Sequence, residues 1–242
     1  MKPEAQLPTA NRQPSTIQIE SGLVSGYYNE KTSVTVYKGI PFAAPPVGNL
    51  RWKAPQPVKP WKGVKECVAF GPSPMQPKPV SFLMIGPEFV VPQEPLSEDC
   101  LYLNVWTAAK SANEKRPVMI WIYGGGFQTG GSAAPGYSGE ALSQQGIIFV
   151  SFNYRLGIFG FLAHPGLTAE SDHHSSGNYA LMDMIAAISW VKKNISAFWR
   201  RSRSHHHCRS VRRFCQRELP ACFSSGTWIV SGRHWRKWIL CS

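Results

Sequence analysis

The chain has 242 residues, 43% hydrophobic and 12% aromatic, enough for one large globular domain or two small ones. No run of about 18 apolar residues occurs, so no transmembrane helix is expected, and the polar, proline-bearing stretch before residue 15 lacks the apolar core of a secretory signal, which makes the cytoplasm the default compartment. The formal charge of +12 invites a nucleic-acid reading, but its distribution argues against one: residues 199–242 hold ten Lys/Arg against Glu218 alone, whereas residues 1–198 hold 16 basic and 13 acidic residues.

Residues 1–15 read as a flexible N-terminus. From Thr16 to Phe42 the pattern is strand-like: Ile17 and Ile19 alternate with polar residues, followed by Leu23, Val24, Val34 and Val36. Turns are expected at Gly22, Gly26 and Gly39. Residues 41–80 are proline-rich and carry Trp52 and Trp61, which suggests an ordered irregular layer pinned by aromatics. Leu101–Thr107 is a strand. Pro117–Tyr123 is an uninterrupted apolar run, as expected for a strand buried on both faces, and Ile147–Phe152 is a third strand. Leu181, Ile185, Ile188, Val191 and Ile195 recur at helical spacing, predicting a helix from Asn178 to Ile195. Strands followed by helices indicate an α/β layered sheet over residues 16–198. From Trp199 onward neither periodicity survives. Four of the six cysteines (Cys208, Cys215, Cys222, Cys241) fall in that last segment, and nothing argues for an oxidising compartment.

The chemistry centres on Tyr123-Gly124-Gly125-Gly126-Phe127, directly after an apolar strand. Three glycines let the backbone turn sharply, with positive φ accessible and no Cβ in the way. Backbone N–H groups placed at a strand's carboxyl end suit an oxyanion hole, where fixed donors meet the negative oxygen of a tetrahedral intermediate. A bare glycine triplet is more often an ordinary turn.

The context narrows the choice. Glu98-Asp99-Cys100-Leu101-Tyr102-Leu103-Asn104-Val105 resembles a signature of the type-B carboxylesterase and cholinesterase family. So do Lys38-Gly39-Ile40-Pro41-Phe42-Ala43-Ala44-Pro45-Pro46, Leu50-Arg51-Trp52 and Trp121-Ile122-Tyr123-Gly124-Gly125-Gly126-Phe127. Asn153-Tyr154-Arg155-Leu156-Gly157 and Gly177-Asn178-Tyr179-Ala180-Leu181-Met182-Asp183 complete the set. Order and spacing match from about Ile17 to Phe198, in the manner of the bacterial para-nitrobenzyl-esterase-like members. The resemblance implies the N-terminal portion of an α/β-hydrolase fold, a central mostly parallel sheet flanked by helices, left incomplete. It implies oxyanion donors at Gly125 and Gly126, with Gly124 in the turn. It also implies two structural ion pairs, Arg51 with Glu98 and Arg155 with Asp183. The intact parent would take a small ester, with no cofactor, metal, nucleic acid or membrane as partner; oligomeric state is not indicated. Cys100 stands at a family disulfide position whose usual partner would fall near Pro74. With no Cys there, Cys100 reads as a buried free thiol; Cys67 stays open as an alternative partner, though out of register.

The nucleophile should follow the helix by roughly fifteen residues in a Gly-x-Ser-x-Gly elbow, and the sequence contains none. Ser138 comes too early and lacks the spacing, and the family's acid and histidine lie far beyond residue 242. A shift of reading frame accounts for residues 199–242. With one T removed, the codons of Phe198-Trp199-Arg200-Arg201-Ser202 can read Phe-Gly-Gly-Asp-Pro, a family motif. Those of His205-His206-His207 become three Ile or Thr residues, as a strand requires. Arg209 to Phe214 can then read Gly-Gln-Ser-Ala-Gly-Ser, an elbow. The chain as written is therefore expected to be inactive and poorly soluble, with strand 147–153 an open hydrophobic edge and little packing after Phe198. Two alternatives stand beside this: a non-catalytic cholinesterase-like binding module, or a basic tail that binds nucleic acid, or metal through His205-His206-His207-Cys208.

Overall fold

The structure is a computed structural model that describes residues 14–77, 95–111, 114–199 and 227–231. Nearly all of the expected flexible N-terminus, most of the basic tail and its His205–Cys208 run lie outside the described residues.

Three strands open the chain as a meander: β1 (Pro14–Ile19), β2 (Gly22–Asn29) and β3 (Val34–Pro41), each antiparallel to the next. Their links are too short for anything but antiparallel pairing. Gly22 follows the first turn, where the Trp61 ring lies so close that any Cβ would sit 2.6 Å from its indole nitrogen. The turns expected at Gly26 and Gly39 are absent. Gly26 lies inside β2, where a Cβ would come within 2.3 Å of the Val36 carbonyl, so the glycine serves close strand approach. Gly39 lies inside β3 at φ +71°, where the register with the next strand slips, and thus marks a bulge.

The irregular layer that follows contains only the short strands β4 (Val64–Glu66), β5 (Ser73–Pro74) and β6 (Leu96–Ser97) among its described residues. Indoles pin it: Trp61 Nε1 donates to the Leu23 carbonyl at 2.9 Å and Trp52 Nε1 to the Ile158 carbonyl at 3.0 Å.

The central strands are β7 (Tyr102–Thr107), β8 (Val118–Ile122) and β9 (Ile148–Phe152). A last strand, β10 (Thr227–Ser231), lies on the outer side of β8. The order is β1-β2-β3-β7-β9-β8-β10, with β4 added alongside β2. The sheet is mixed rather than mostly parallel: among the described residues its parallel strand pairs are β8–β9 and β2–β4. Only the link from β8 to β9, which carries helix α1 (Glu140–Gln144), is long enough for a crossover between central strands.

Strand 147–153 is no open edge: the crossover returns β9 between β7 and β8, and all five of its residues are buried. Among the described residues beyond Phe198, β10 lies against the outer edge of β8 in antiparallel register, Thr227 opposite Ile122 and Ser231 opposite Val118.

Period-two alternation sorts the side chains onto two faces. On one, Leu103, Val105, Val118, Ile120, Ile122, Val150 and Phe152 pack in the main core. On the other, Tyr27, Val36, Trp106 and Phe149 form a smaller cluster beneath Leu142 of α1. Strand β8 was expected to be buried on both faces, yet Met119 and Trp121 are only half-buried because the short α1 covers that side incompletely.

Helices α2 (Gly157–Phe161), α3 (Pro165–Glu170) and α4 (Tyr179–Asn194) follow. The face that α4 buries differs from the predicted stripe. Ala180, Asp183, Met184, Ala187, Ile188 and Val191 point inward, Leu181 is half-buried, and Ile185 is 41% exposed. A charged residue and two alanines disguise this stripe in the sequence. Small side chains let the helices meet closely: a Cβ on Gly160 of α2 would lie 2.9 Å from that of Ala180. The far end of α4 is tied down where Asn194 Oδ1 accepts from Glu20 N at 2.8 Å and where Phe198 meets Tyr37 edge-on at 5.0 Å.

Candidate active site at the glycine loop

The loop after β8 is shaped by backbone conformations that few residues tolerate. Gly125 has φ +129° and Gly126 φ +59°. A Cβ on Gly125 would lie 2.0 Å from the Thr129 carbonyl, whereas around Gly126 nothing comes within 4 Å. Phe127 adopts φ +63° without being glycine, a left-handed strain of about 1 kcal/mol. Its carbonyl accepts from Gly157 N at 2.7 Å and its ring packs on Phe161 at 4.8 Å, which secures it. The Gly125 carbonyl accepts from the N–H groups of Gln128 (3.1 Å) and Thr129 (3.2 Å). Among the described residues no carbonyl accepts from the N–H of Gly125 or Gly126, and both glycines are exposed. The loop therefore presents two adjacent donors at the carboxyl end of β8, available to an anionic oxygen.

Two tyrosines underlie it. Tyr123 and Tyr154, at the carboxyl ends of β8 and β9, stack at 4.5 Å with planes 13° apart. The Tyr154 hydroxyl donates to the Tyr123 carbonyl at 2.9 Å, and the Tyr123 hydroxyl to the Tyr154 carbonyl at 3.2 Å. Burial pushes both phenols up, so both stay protonated donors.

A family model described as the carboxylesterase family matches residues 13–199. The chain belongs to the carboxylesterase family. It is 47% identical over 182 residues to a fumonisin B1 esterase of Sphingopyxis macrogoltabida, covering 74% of this chain and 31% of that protein. It is 44% identical over 168 residues to a cholinesterase of Mus musculus, covering 69% of this chain and 27% of that one. Among solved structures, a carboxylesterase of Geobacillus stearothermophilus superimposes with a TM-score of 0.65 at 40% identity, over 76% of this chain and 35% of the other. A PNB esterase gives 0.65 at 39% identity, over 76% and 36%. The chain thus spans about a third of the length of these relatives.

Within this carboxylesterase chain the structure brings together both charged pairs considered from the sequence. Arg155 and Asp183 are fully buried, 2% and 0% exposed. The guanidinium grips the carboxylate with Nε to Oδ2 at 2.8 Å and Nη2 to Oδ1 at 2.7 Å, and the Arg155 backbone N–H adds a third bond at 3.1 Å. Its other protons reach the carbonyls of Arg51 (2.7 Å) and Lys53 (2.9 Å). One side chain thereby joins the end of β9, the start of α4 and the irregular layer. Burial pushes the Asp183 carboxyl up, while Arg155 pulls it back. Arg51 holds Glu98 bidentately, Nε to Oε2 at 2.5 Å and Nη2 to Oε1 at 2.7 Å, with both side chains partly exposed. That bonding to Glu98 raises the Arg51 guanidinium further. Among the described residues no hydrogen bond links either pair to the glycine loop.

Cys67 and Cys100 are free and buried. Burial pushes the Cys67 thiol up to about 11 and that of Cys100 further, which leaves both protonated and unreactive at neutral pH. Ser138 is exposed, in the turn before α1. The His164 ring is spent on capping α3, where Nδ1 accepts from Gly166 N at 3.1 Å. Among the described residues no serine, threonine or cysteine side chain is hydrogen-bonded to a histidine ring, and no helix is long and apolar enough to cross a membrane.

Three contributors to this site carry no signal in the sequence. The Tyr123–Tyr154 clamp falls within motifs that suggest the family but not the pairing. Gln76, whose amide binds both backbone groups of Gly130, lies in an aperiodic stretch. Asn104, in β7, accepts from Gly39 N at 3.0 Å and donates to Ser132 and Ser151, fastening the bulge of β3 to the far end of the loop.

Proposed function

We propose that these residues carry the electrophilic half of a serine-esterase centre. The N–H groups of Gly125 and Gly126 receive the oxygen that turns negative as a nucleophile adds to an ester carbonyl. One such donor is worth about 3 kcal/mol of transition-state stabilisation. The supporting observation is the pair of unclaimed, exposed N–H groups held in left-handed backbone beside β8.

The chain as written is proposed not to turn over esters. It has no Gly-x-Ser-x-Gly and no Ser–His pair among the described residues. Direction matters as well as composition. The strand beside β8 runs antiparallel to it, so its carboxyl end, Ser231, stands level with Val118 at the far end of the sheet from the glycine loop. An elbow serine must leave its strand on the loop's side to meet these donors. The readable elbow in the shifted frame after Phe198 supports an out-of-frame origin for residues 199–242, and the genomic sequence at codon 199 tests that directly.

A fluorophosphonate serine-hydrolase probe tests the proposal. The purified chain should remain unlabelled and should leave a para-nitrophenyl ester intact above the buffer rate. Stoichiometric labelling of any one serine would overturn the reading.

A further inference from the structure

We infer that Tyr154 and Gln76 are positioning residues, fixing the two ends of the glycine loop on which the free N–H groups of Gly125 and Gly126 sit. This rests on the oxyanion reading for its purpose, though not for its geometry.

A trans peptide is planar, so its C=O and N–H point in opposite directions. The Tyr123 carbonyl shares a peptide with the Gly124 nitrogen. Because the buried Tyr154 hydroxyl holds that carbonyl at 2.9 Å, the Gly124 N–H turns toward the exposed side. The donor is itself fixed, by the ring stack and by the reciprocal bond from the Tyr123 hydroxyl. The same logic applies two peptides later: the Gly125 carbonyl is held by Gln128 N and Thr129 N, which directs the Gly126 N–H away from that turn.

At the exit a single carboxamide does the work of a strand neighbour. Gly130 N donates to Gln76 Oε1 at 2.8 Å, and Gln76 Nε2 donates to the Gly130 carbonyl at 2.7 Å. The second Nε2 proton reaches the Pro74 carbonyl at 3.1 Å, anchoring Gln76 to β5, which pairs with β6. The two ends also touch: Gly130, at φ +119°, has the Tyr123 ring where a Cβ would be, 2.6 Å away. The loop is closed at its base by Tyr123 against Gly130 and held from outside by Tyr154 and Gln76.

The test uses the whole chain, labelled with carbonyl-¹³C tyrosine or glycine and ¹⁵N glycine. Tyr123–Gly124 is the sole Tyr–Gly pair in the sequence, so one amide signal reports on the entry; the Gly–Gly pairs report on the middle and the exit. Tyr154→Phe should move the Gly124 signal, with the amides of α4 unchanged. Tyr123→Phe deletes an equally buried hydroxyl but spares the direct bond to the Tyr123 carbonyl, so it should move the Gly124 signal much less than Tyr154→Phe does. Gln76→Glu keeps the acceptor and loses the donor; it should shift the Gly130–Gly131 signal. Equal responses of Gly124 to the two tyrosine variants, or an unmoved Gly130–Gly131 signal in Gln76→Glu, would overturn the inference. If Tyr154→Phe does not fold, the partly exposed Gln76 carries the test alone. These signals report geometry whether or not the loop serves ester chemistry, which the fluorophosphonate experiment addresses separately.

Discussion

Arg155→Met removes the cation from a fully buried carboxylate that has no other ion-pair partner among the described residues. Asp183, 0% exposed, would keep only the backbone N–H of residue 155. Stripping one member from a buried ion pair costs about 3–5 kcal/mol. The carbonyls of Arg51 and Lys53 also lose their donors, which adds less, because Lys53 is exposed and Arg51 only half-buried, so water can take the donor's place. Against a total stability of about 5–15 kcal/mol, the single variant should be barely folded at pH 7. Urea unfolding followed by tryptophan fluorescence should place its midpoint about 2 M below the parent's, with m near 2 kcal/mol/M. The double variant Arg155→Met/Asp183→Leu should recover much of the loss, since no uncompensated charge remains. The deficit of the single variant should also shrink toward pH 4. Without Arg155 only burial acts strongly on Asp183, raising its folded pKa above the unfolded one; the stability lost as the group ionises is thus regained as pH falls. A single variant within about 0.5 kcal/mol of the parent at pH 7 would refute the reasoning, because surface substitutions already produce changes of that size.

Gly125→Ala must displace the Thr129 carbonyl and should destabilise by more than the roughly 1 kcal/mol of left-handed strain expected at the open Gly126, so thermal melts should rank Gly125→Ala well below Gly126→Ala. Iodoacetamide at pH 8, read by peptide mass mapping, should leave Cys67 and Cys100 unmodified until denaturant is added. The Cys67 thiol rises from 9.0 to about 11 on folding, so its contribution is intact below pH 9 and lost as pH climbs through 11. Alkaline titration of a Cys67→Ala variant should accordingly show a shallower fall in stability across that window.

The strands were legible because they are continuous or alternating apolar runs, as in Pro117–Tyr123 and Ile147–Phe152, and each lies within a residue or two of its expected place. Their order was not. That β9 inserts between β7 and β8 depends on a crossover, a long-range choice that composition does not encode. Gly26 was misread because glycine at a turn and glycine under a close strand crossing look alike in one dimension. The buried face of α4 was misjudged because Asp183 reads as solvent-facing until Arg155, 28 positions earlier, is folded against it. The glycine loop and both charged pairs stood out through long motifs in register. Gln76 did not, since an amide that substitutes for a strand has no periodicity to betray it.

The reversed polarity of β10 has a consequence for how such a sheet is completed. A strand edge offers alternating N–H and C=O groups that an extended segment can satisfy in either sense. Zipping up the flank of β8 is thus a lenient requirement, met here by five residues outside the span matched by the family. Delivering a side chain to the mouth of the glycine loop is a strict one, because a strand entering head-first and one entering tail-first emerge at opposite rims.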